Sequence, residues 1–388
     1  MRVLVCHVRY RQAGGEDTVF ETEIGVLRDA GVDVTTLDLS SADLGRLPLR
    51  ARAEIMTRYT GHAWGRAVIR NAVERHRPDV VHFHNLYPLL GPGAIKEADA
   101  LGCATVQTLH NYRLSCLAGT HLLKGAFCQL CGPTRFWHGV RHACYRASVP
   151  QSCFAAAGAR RQWLQFINGG APACWLALTP FMRDHFIGFG APAERLLIKA
   201  NSVGEGRPHS REGRSGVFCG GRLSPEKGIV ELMRSWPQDA PTLTIAGGGP
   251  LVDEMRAHRS PNIRFLGPVK HDTMTAEIRK ALVVAMPSIS PEPLPLVALE
   301  AFAEGTPVVA FEAWSLGSVV RDISADCVVD FRDFSKLAKR TLEIGSLSQW
   351  DQLSARCVEL WRQTYSHEVN VAALLAAYDT ARRLRRAR

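Results

Sequence analysis

The run Gly220-Gly221-Arg222-Leu223-Ser224-Pro225-Glu226-Lys227-Gly228 sets two cations five residues apart among glycines. Glycine lets backbone approach a ligand closely, and a helix opening behind the run would turn its N-terminus to an anion, so Arg222 and Lys227 suit a diphosphate. Further on, Ser290-Pro291-Glu292-Pro293-Leu294-Pro295-Leu296-Val297-Ala298-Leu299-Glu300-Ala301 holds two acids with seven residues between them. A carboxylate accepts hydrogen bonds from vicinal hydroxyls in bidentate fashion, so Glu292 and Glu300 could hold a sugar ring and a ribose. Taken singly, each has a plainer reading: an acid favoured by a helix dipole and an ordinary surface acid.

A second group is made of sulfur. Cys116, Cys128, Cys131 and Cys144 follow the spacing C-x11-C-x2-C-x12-C, with His121, His138 and His142 among them. Four thiolates would close a tetrahedral zinc site, and one C-x2-C pair supplies two adjacent ligands where a double knuckle would show two such pairs. Unmetallated thiols and a redox pair are the alternatives. Eleven cysteines is an odd number spread over a long chain, and a reducing compartment argues against a disulfide framework. His82 and His84 alternate to one face of Val80-Val81-His82-Phe83-His84, which reads as packing or acceptor lining.

The elements that must position these residues follow from periodicity. The chain has 388 residues, 46% of them hydrophobic, enough for two domains and against a single small module or a disordered chain. Apolar runs near 2–8, 33–37, 79–84, 104–109, 174–179 and 195–200 alternate with helical spacing, as in a parallel sheet covered on both faces. Between 112 and 150 that rhythm stops, which reads as a Cys-rich insertion. After Asn201-Ser202-Val203-Gly204-Glu205-Gly206-Arg207-Pro208 it restarts, with strands near 216–220, 242–246, 262–266, 282–286 and 307–311. The expected organisation is α/β throughout: a doubly wound acceptor-side domain over 1–200, a donor-side one over 201–366, and a helix over 367–388 returning to the first. Open α/β sheets bind ligands at the carboxyl ends of their strands, so two such edges could enclose a cleft.

Taken together these motifs resemble the GT-B glycosyltransferases, in particular the large retaining group known as family 4. The resemblance rests on the loop Ala13-Gly14-Gly15-Glu16, His110 in Gln107-Thr108-Leu109-His110-Asn111, the Gly221–Gly228 run, and the Glu292/Glu300 pair followed by Ala301-Phe302-Ala303-Glu304-Gly305-Thr306-Pro307-Val308-Val309. It implies two facing Rossmann-like domains and a nucleoside-diphosphate sugar, UDP- or GDP-linked, as donor. Arg222 and Lys227 would hold the diphosphate beside Gly221, Glu292 the sugar hydroxyls and Glu300 the ribose. The backbone N–H groups of Leu294 and Leu296 would assist, and Leu266 and Gly267 would meet the nucleobase. Gly14 and Gly15 would let backbone approach the donor, and His110 would reach the sugar from the opposite wall. The implied reaction is retaining hexosyl transfer needing no divalent ion or other cofactor, since Arg222 and Lys227 do what a metal does elsewhere.

Charge bears on the acceptor. The net charge is +10, and residues 1–200 carry 23 Lys and Arg against 15 Asp and Glu. Arg382, Arg383, Arg385, Arg386 and Arg388 make a basic tail. A glycan acceptor on a lipid diphosphate, met at an anionic membrane face, fits this charge. A soluble natural-product acceptor is the runner-up, and a sugar-nucleotide epimerase, a phosphorylase or a non-enzymatic basic module are rivals. Nucleic acid fits poorly, because the charge lacks interleaved aromatics. No run approaches the length of a membrane span, and Arg9 and Arg11 cut short the first apolar run, so a cytoplasmic protein, peripheral at most at the inner membrane face, is expected.

Overall fold

The structure is a computed structural model that describes residues 1–10, 14–57, 63–207, 210–258, 260–346 and 348–387. Arg11, Ala13, Pro208 and Arg388 lie outside the described residues. The chain divides into two compact units: Met1–Leu123 with Cys128–Ala200 and Asn370–Arg388, and Lys124–Phe127 with Asn201–Val369.

In the first unit the strands are β1 (Arg2–Arg9), β2 (Asp33–Ser40), β3 (Val80–Phe83), β4 (Ala104–Thr108), the two-residue pair β5 (Leu122–Leu123) and β6 (Ala126–Phe127), whose second member is grouped with the other unit, then β7 (Cys174–Ala177) and β8 (Leu196–Ile198). The main sheet runs β2-β1-β3-β4-β7-β8, and its neighbours pair in parallel. Successive side chains of a strand point to opposite faces. Val3 and Val5 accordingly enter a core with Phe20, Ile24 and Leu27 of the helix Gly15–Asp29, while Leu4, Cys6 and Val8 enter another with Ile69 and Val73 of the helix Ala63–His76. Both faces are covered, as the near-continuous apolar strands require. The helix His367–Arg386 adds Leu374, Ala377, Tyr378 and Ala381 to the first of these cores.

In the second unit, β9 (Val217–Gly220), β10 (Leu243–Ala246), β11 (Ile263–Gly267), β12 (Val283–Met286), β13 (Val308–Phe311) and β14 (Val328–Val329) form a sheet in the order β11-β10-β9-β12-β13-β14. Its neighbours are also parallel. The order reverses between β9 and β12, and in the first unit between β1 and β3. At such switch points the loops after adjacent strands diverge and leave a crevice at the carboxyl edge.

The inserted stretch is irregular, holding the β5–β6 pair and a short helix, Trp137–Arg141, before the long helix Val149–Ile167. The helices Pro180–Gly188, Trp314–Arg321, Phe334–Ser346 and Trp350–Leu360 add to those read from the sequence.

Candidate functional site

At the switch point of the second unit, the loops after β9 and β12 carry the two motifs. Gly221 takes φ +142°, in the region open to glycine, and its N–H donates to the Ala246 carbonyl at 3.0 Å. The Leu223 N–H donates to Gly248 O at 2.8 Å, and the Gly247 N–H to Gly267 O at 2.8 Å, so the ends of β9, β10 and β11 are laced backbone to backbone. A Cβ at Gly247 would strike the Gly221 carbonyl, and one at Gly249 the Leu223 carbonyl. The run Gly247-Gly248-Gly249 is thus part of the framework under the cation loop. Sequence reasoning passed over it, although three glycines after an apolar strand are a visible signal.

A 3-10 turn, Pro225–Lys227, then leads to Gly228 at φ +63°, where a Cβ would strike the Pro287 carbonyl. The Ile289 N–H donates to Glu226 O at 3.0 Å, which fastens the β9 loop to the β12 loop. This contact brings the Lys227 ammonium onto the Glu292 carboxylate, whose other oxygen accepts from the Ser288 hydroxyl. The side chains are 25% and 9% exposed, so the pair is shielded but reachable. Expected in separate roles, Lys227 and Glu292 form one ion pair. Arg222 is exposed on the same loop. The following helix, Ile229–Arg234, has only six residues, so the expected dipole contribution is small beside two cations.

Glu300 sits inside the helix Leu296–Ala303, buried, with its carboxylate 3.5 Å from His271 Nδ1. Burial pushes its pKa up and His271 opposes the shift. Leu296 opens that helix, and the Leu294 carbonyl accepts from Asn201 Nδ2 at 3.1 Å. Leu266 and Gly267 end β11, Gly267 at φ +73°.

In the first unit, Gly14 caps the helix that Gly15 opens. The Gly14 N–H donates to Asp17 Oδ2 at 2.9 Å, and His7 Nε2 donates to Asp17 Oδ1 at 2.7 Å, which ties the loop to β1. His110 follows β4 and lines a cavity of about 70 Å3 with Glu16, Asn85, Asn111, Arg113 and Tyr145. Burial pushes Glu16 up to about 7, against the pull of the Arg113 guanidinium. A carboxyl shifted toward neutrality in a cavity is a candidate functional group, and the sequence shows it only as a loop acid. His84 Nδ1 and His110 Nε2 are 2.9 Å apart; His82 and His84 are both buried.

Of the four cysteines in the insertion, Cys116 and Cys131 are buried and Cys128 and Cys144 half-buried, all as free thiols. The Gly119 N–H donates to the Cys116 carbonyl at 2.9 Å, which closes the turn that carries this cysteine. Burial pushes Cys131 up to about 11 and raises Cys116 and Cys144. Among the described residues, the one group of three or more such side chains with ligand atoms within 4.8 Å of one another is Glu23, His82 and His84, not the cysteines.

The family Glycosyltransferase Family 4 matches residues 13–203, and Glycosyl transferases group 1 matches residues 214–346. Glycogen synthase of Mycobacterium tuberculosis is 31% identical over 281 residues, which is 67% of this chain and 59% of that protein. The GDP-mannose-dependent alpha-(1-6)-phosphatidylinositol monomannoside mannosyltransferase of the same organism is 33% identical over 185 residues, 43% of this chain and 48% of that one. These matches span only about half to three fifths of the relatives' length. In fold, the chain is similar to Anabaena HepE, solved in complex with UDP and glucose, with a TM-score of 0.65 at 16% identity over 97% of this chain and 100% of that one. The chain belongs to the family 4 glycosyltransferases and has their GT-B fold.

Proposed function

We propose that this protein transfers a hexosyl group from a nucleoside-diphosphate sugar to a hydroxyl acceptor with retention of configuration, and without a divalent ion. The observation that carries this reading is the junction of the β9 and β12 loops, which sets the Lys227 ammonium on Glu292, with Arg222 exposed on the same loop as Lys227. Cleaving the bond between anomeric carbon and phosphate leaves a cation-like sugar and a diphosphate anion. Arg222 and Lys227 would hold that anion in place, which lowers the barrier without reorganisation. Glu292 would steady Lys227 and accept from sugar hydroxyls, Glu300 would hold the ribose, Leu294 and Leu296 would offer backbone N–H groups, and Gly221 would let the backbone approach the diphosphate. Leu266 and Gly267 would border the base, UDP or GDP. In the first unit, Gly14, Gly15 and His110 would contact the sugar.

Removing one preorganised donor of this kind costs about 2.7–4 kcal/mol, or roughly 100- to 1,000-fold in kcat. The variant Lys227→Ala should therefore lose about that much turnover with EDTA present throughout. A loss within about tenfold, some 1.36 kcal/mol, refutes the leaving-group role.

For the acceptor we favour a lipid-linked glycan at an anionic membrane face. The basic first unit supports this, as does the mannosyltransferase relative whose name specifies a phosphatidylinositol-linked acceptor. Among the described residues no helix is long and apolar enough to cross a membrane, so association would be peripheral. The cysteine set we read as a structural zinc site. Four cysteines in one insertion, two buried and two half-buried, would supply the four thiolates such a site needs, at bonds of about 2.3 Å. One zinc per chain in protein purified without a His-tag is expected; a zinc content near zero removes the site.

A further inference from the structure

Behind His110 the first unit buries polar groups that the roles above do not use. Lys199, just after β8, is fully buried and forms an ion pair with Glu23 of the helix Gly15–Asp29. The same carboxylate lies 3.3 Å from His84 Nε2, and His84 Nδ1 is 2.9 Å from His110 Nε2. His82 is satisfied separately, with Nε2 2.8 Å from Thr108 Oγ1 and Nδ1 2.9 Å from the Tyr378 hydroxyl. Glu23, His82 and His84 are grouped closely enough for a metal, but the Lys199 ammonium already neutralises the carboxylate, and both His82 nitrogens are engaged. The arrangement therefore sets protons rather than a cation.

The order of those protons follows by elimination. A neutral imidazole carries one ring proton, and a carboxylate only accepts. Burial holds both rings neutral, taking His84 down to about 3 and His110 well below its usual value. The charge of the Glu23 carboxylate, 3.3 Å away without a formed hydrogen bond, draws the His84 proton to Nε2, which leaves Nδ1 as a lone pair. His110 must supply the proton between the two rings from its Nε2, so its own Nδ1 is bare. Among the described residues, His110 Nδ1 has no hydrogen-bond partner.

We propose that Glu23, held by Lys199, fixes the tautomer of His110 through His84, so that His110 offers Nδ1 as a hydrogen-bond acceptor to a substrate hydroxyl in the cavity. Glu23, Lys199 and His84 are positioning residues, and His110 is the one that touches substrate. That the hydroxyl belongs to a sugar rests on the proposed function; the proton order does not.

Long-range proton–nitrogen correlation spectra of the full chain, labelled with 15N-histidine, read the tautomers directly, with His84→Gln and His110→Gln used for assignment. The wild type should show both His84 and His110 protonated on Nε2. In Glu23→Gln the amide oxygen turns to Lys199 and its NH2 to His84, so both rings should invert to the Nδ1-protonated form. Transfer in that variant should fall at least tenfold in kcat/KM, while binding of free UDP or GDP stays unchanged. A wild-type His110 protonated on Nδ1 overturns the proposal, as does a folded Glu23→Gln protein whose His110 keeps its tautomer. Should that variant fail to fold, the wild-type spectrum decides alone. The expected tautomers with no turnover of any nucleotide sugar would uphold the proton order and count against the transferase reading only.

Discussion

Glu16 is a residue whose chemistry depends on its surroundings. Its pKa is pushed up to about 7 by burial. An unfolded chain would hold it near 4.5, so the folded state binds the extra proton between those values. The stability this contributes is complete below about 4.5 and is lost as pH rises through about 7. The variant Glu16→Gln should then raise Tm over wild type at pH 8 and do little at pH 4. If the carboxyl also meets substrate, the limb near pH 7 in kcat/KM should flatten in the same variant; a limb that persists assigns it to another group. Arg222 and Lys227, like Glu292 and Glu300, stand out in the sequence because each pair falls within one short motif. The pair of Glu23 with Lys199 does not, because only the folded sheet brings such distant positions together. Nor does spacing alone show that Lys227 and Glu292 share one contact.

At the scale of elements, the loops after β9 and β12 depend on backbone as much as on side chains. Gly228 holds a left-handed conformation against the Pro287 carbonyl, so Gly228→Ala meets both an unfavourable φ and a collision. A left-handed non-glycine residue costs about 1–2 kcal/mol, and the collision adds to it. Urea denaturation should show a loss of at least that size, with weaker UDP or GDP binding, since the turn that aims Lys227 must shift. An unchanged midpoint would mean that the loop adjusts freely. Most elements are legible: each strand run read from the alternation lies within a residue or two of a strand in the structure. The helices Pro180–Gly188 and Trp314–Arg321 are not among those read from the sequence. Nor is Phe334–Ser346, although Leu337, Thr341 and Ile344 have helical spacing and are buried on one face, a pattern present in the sequence but not used.

At the scale of the whole molecule, the basic charge has a location. The helix His367–Arg386 brings Arg382, Arg385 and Arg386 beside Arg2 and Arg77, in a groove that also holds Glu74 and Asp79. A basic side chain near an anionic bilayer contributes about 1 kcal/mol, screened over a Debye length of about 10 Å at 0.1 M salt. Replacing those three tail arginines with alanine should weaken binding to phosphatidylserine-containing vesicles by roughly 100-fold at low ionic strength. Wild-type protein that ignores such vesicles excludes the membrane acceptor and leaves the soluble one. The same helix has a consequence for biosynthesis. Its Leu374, Ala377, Tyr378 and Ala381 complete a core whose other walls come from the first 200 residues. A ribosome must make about 170 further residues before that wall emerges, roughly 10–30 s at ordinary elongation rates. Throughout that interval the nascent N-terminal half carries an uncovered greasy face, and chaperone occupancy should concentrate there until release.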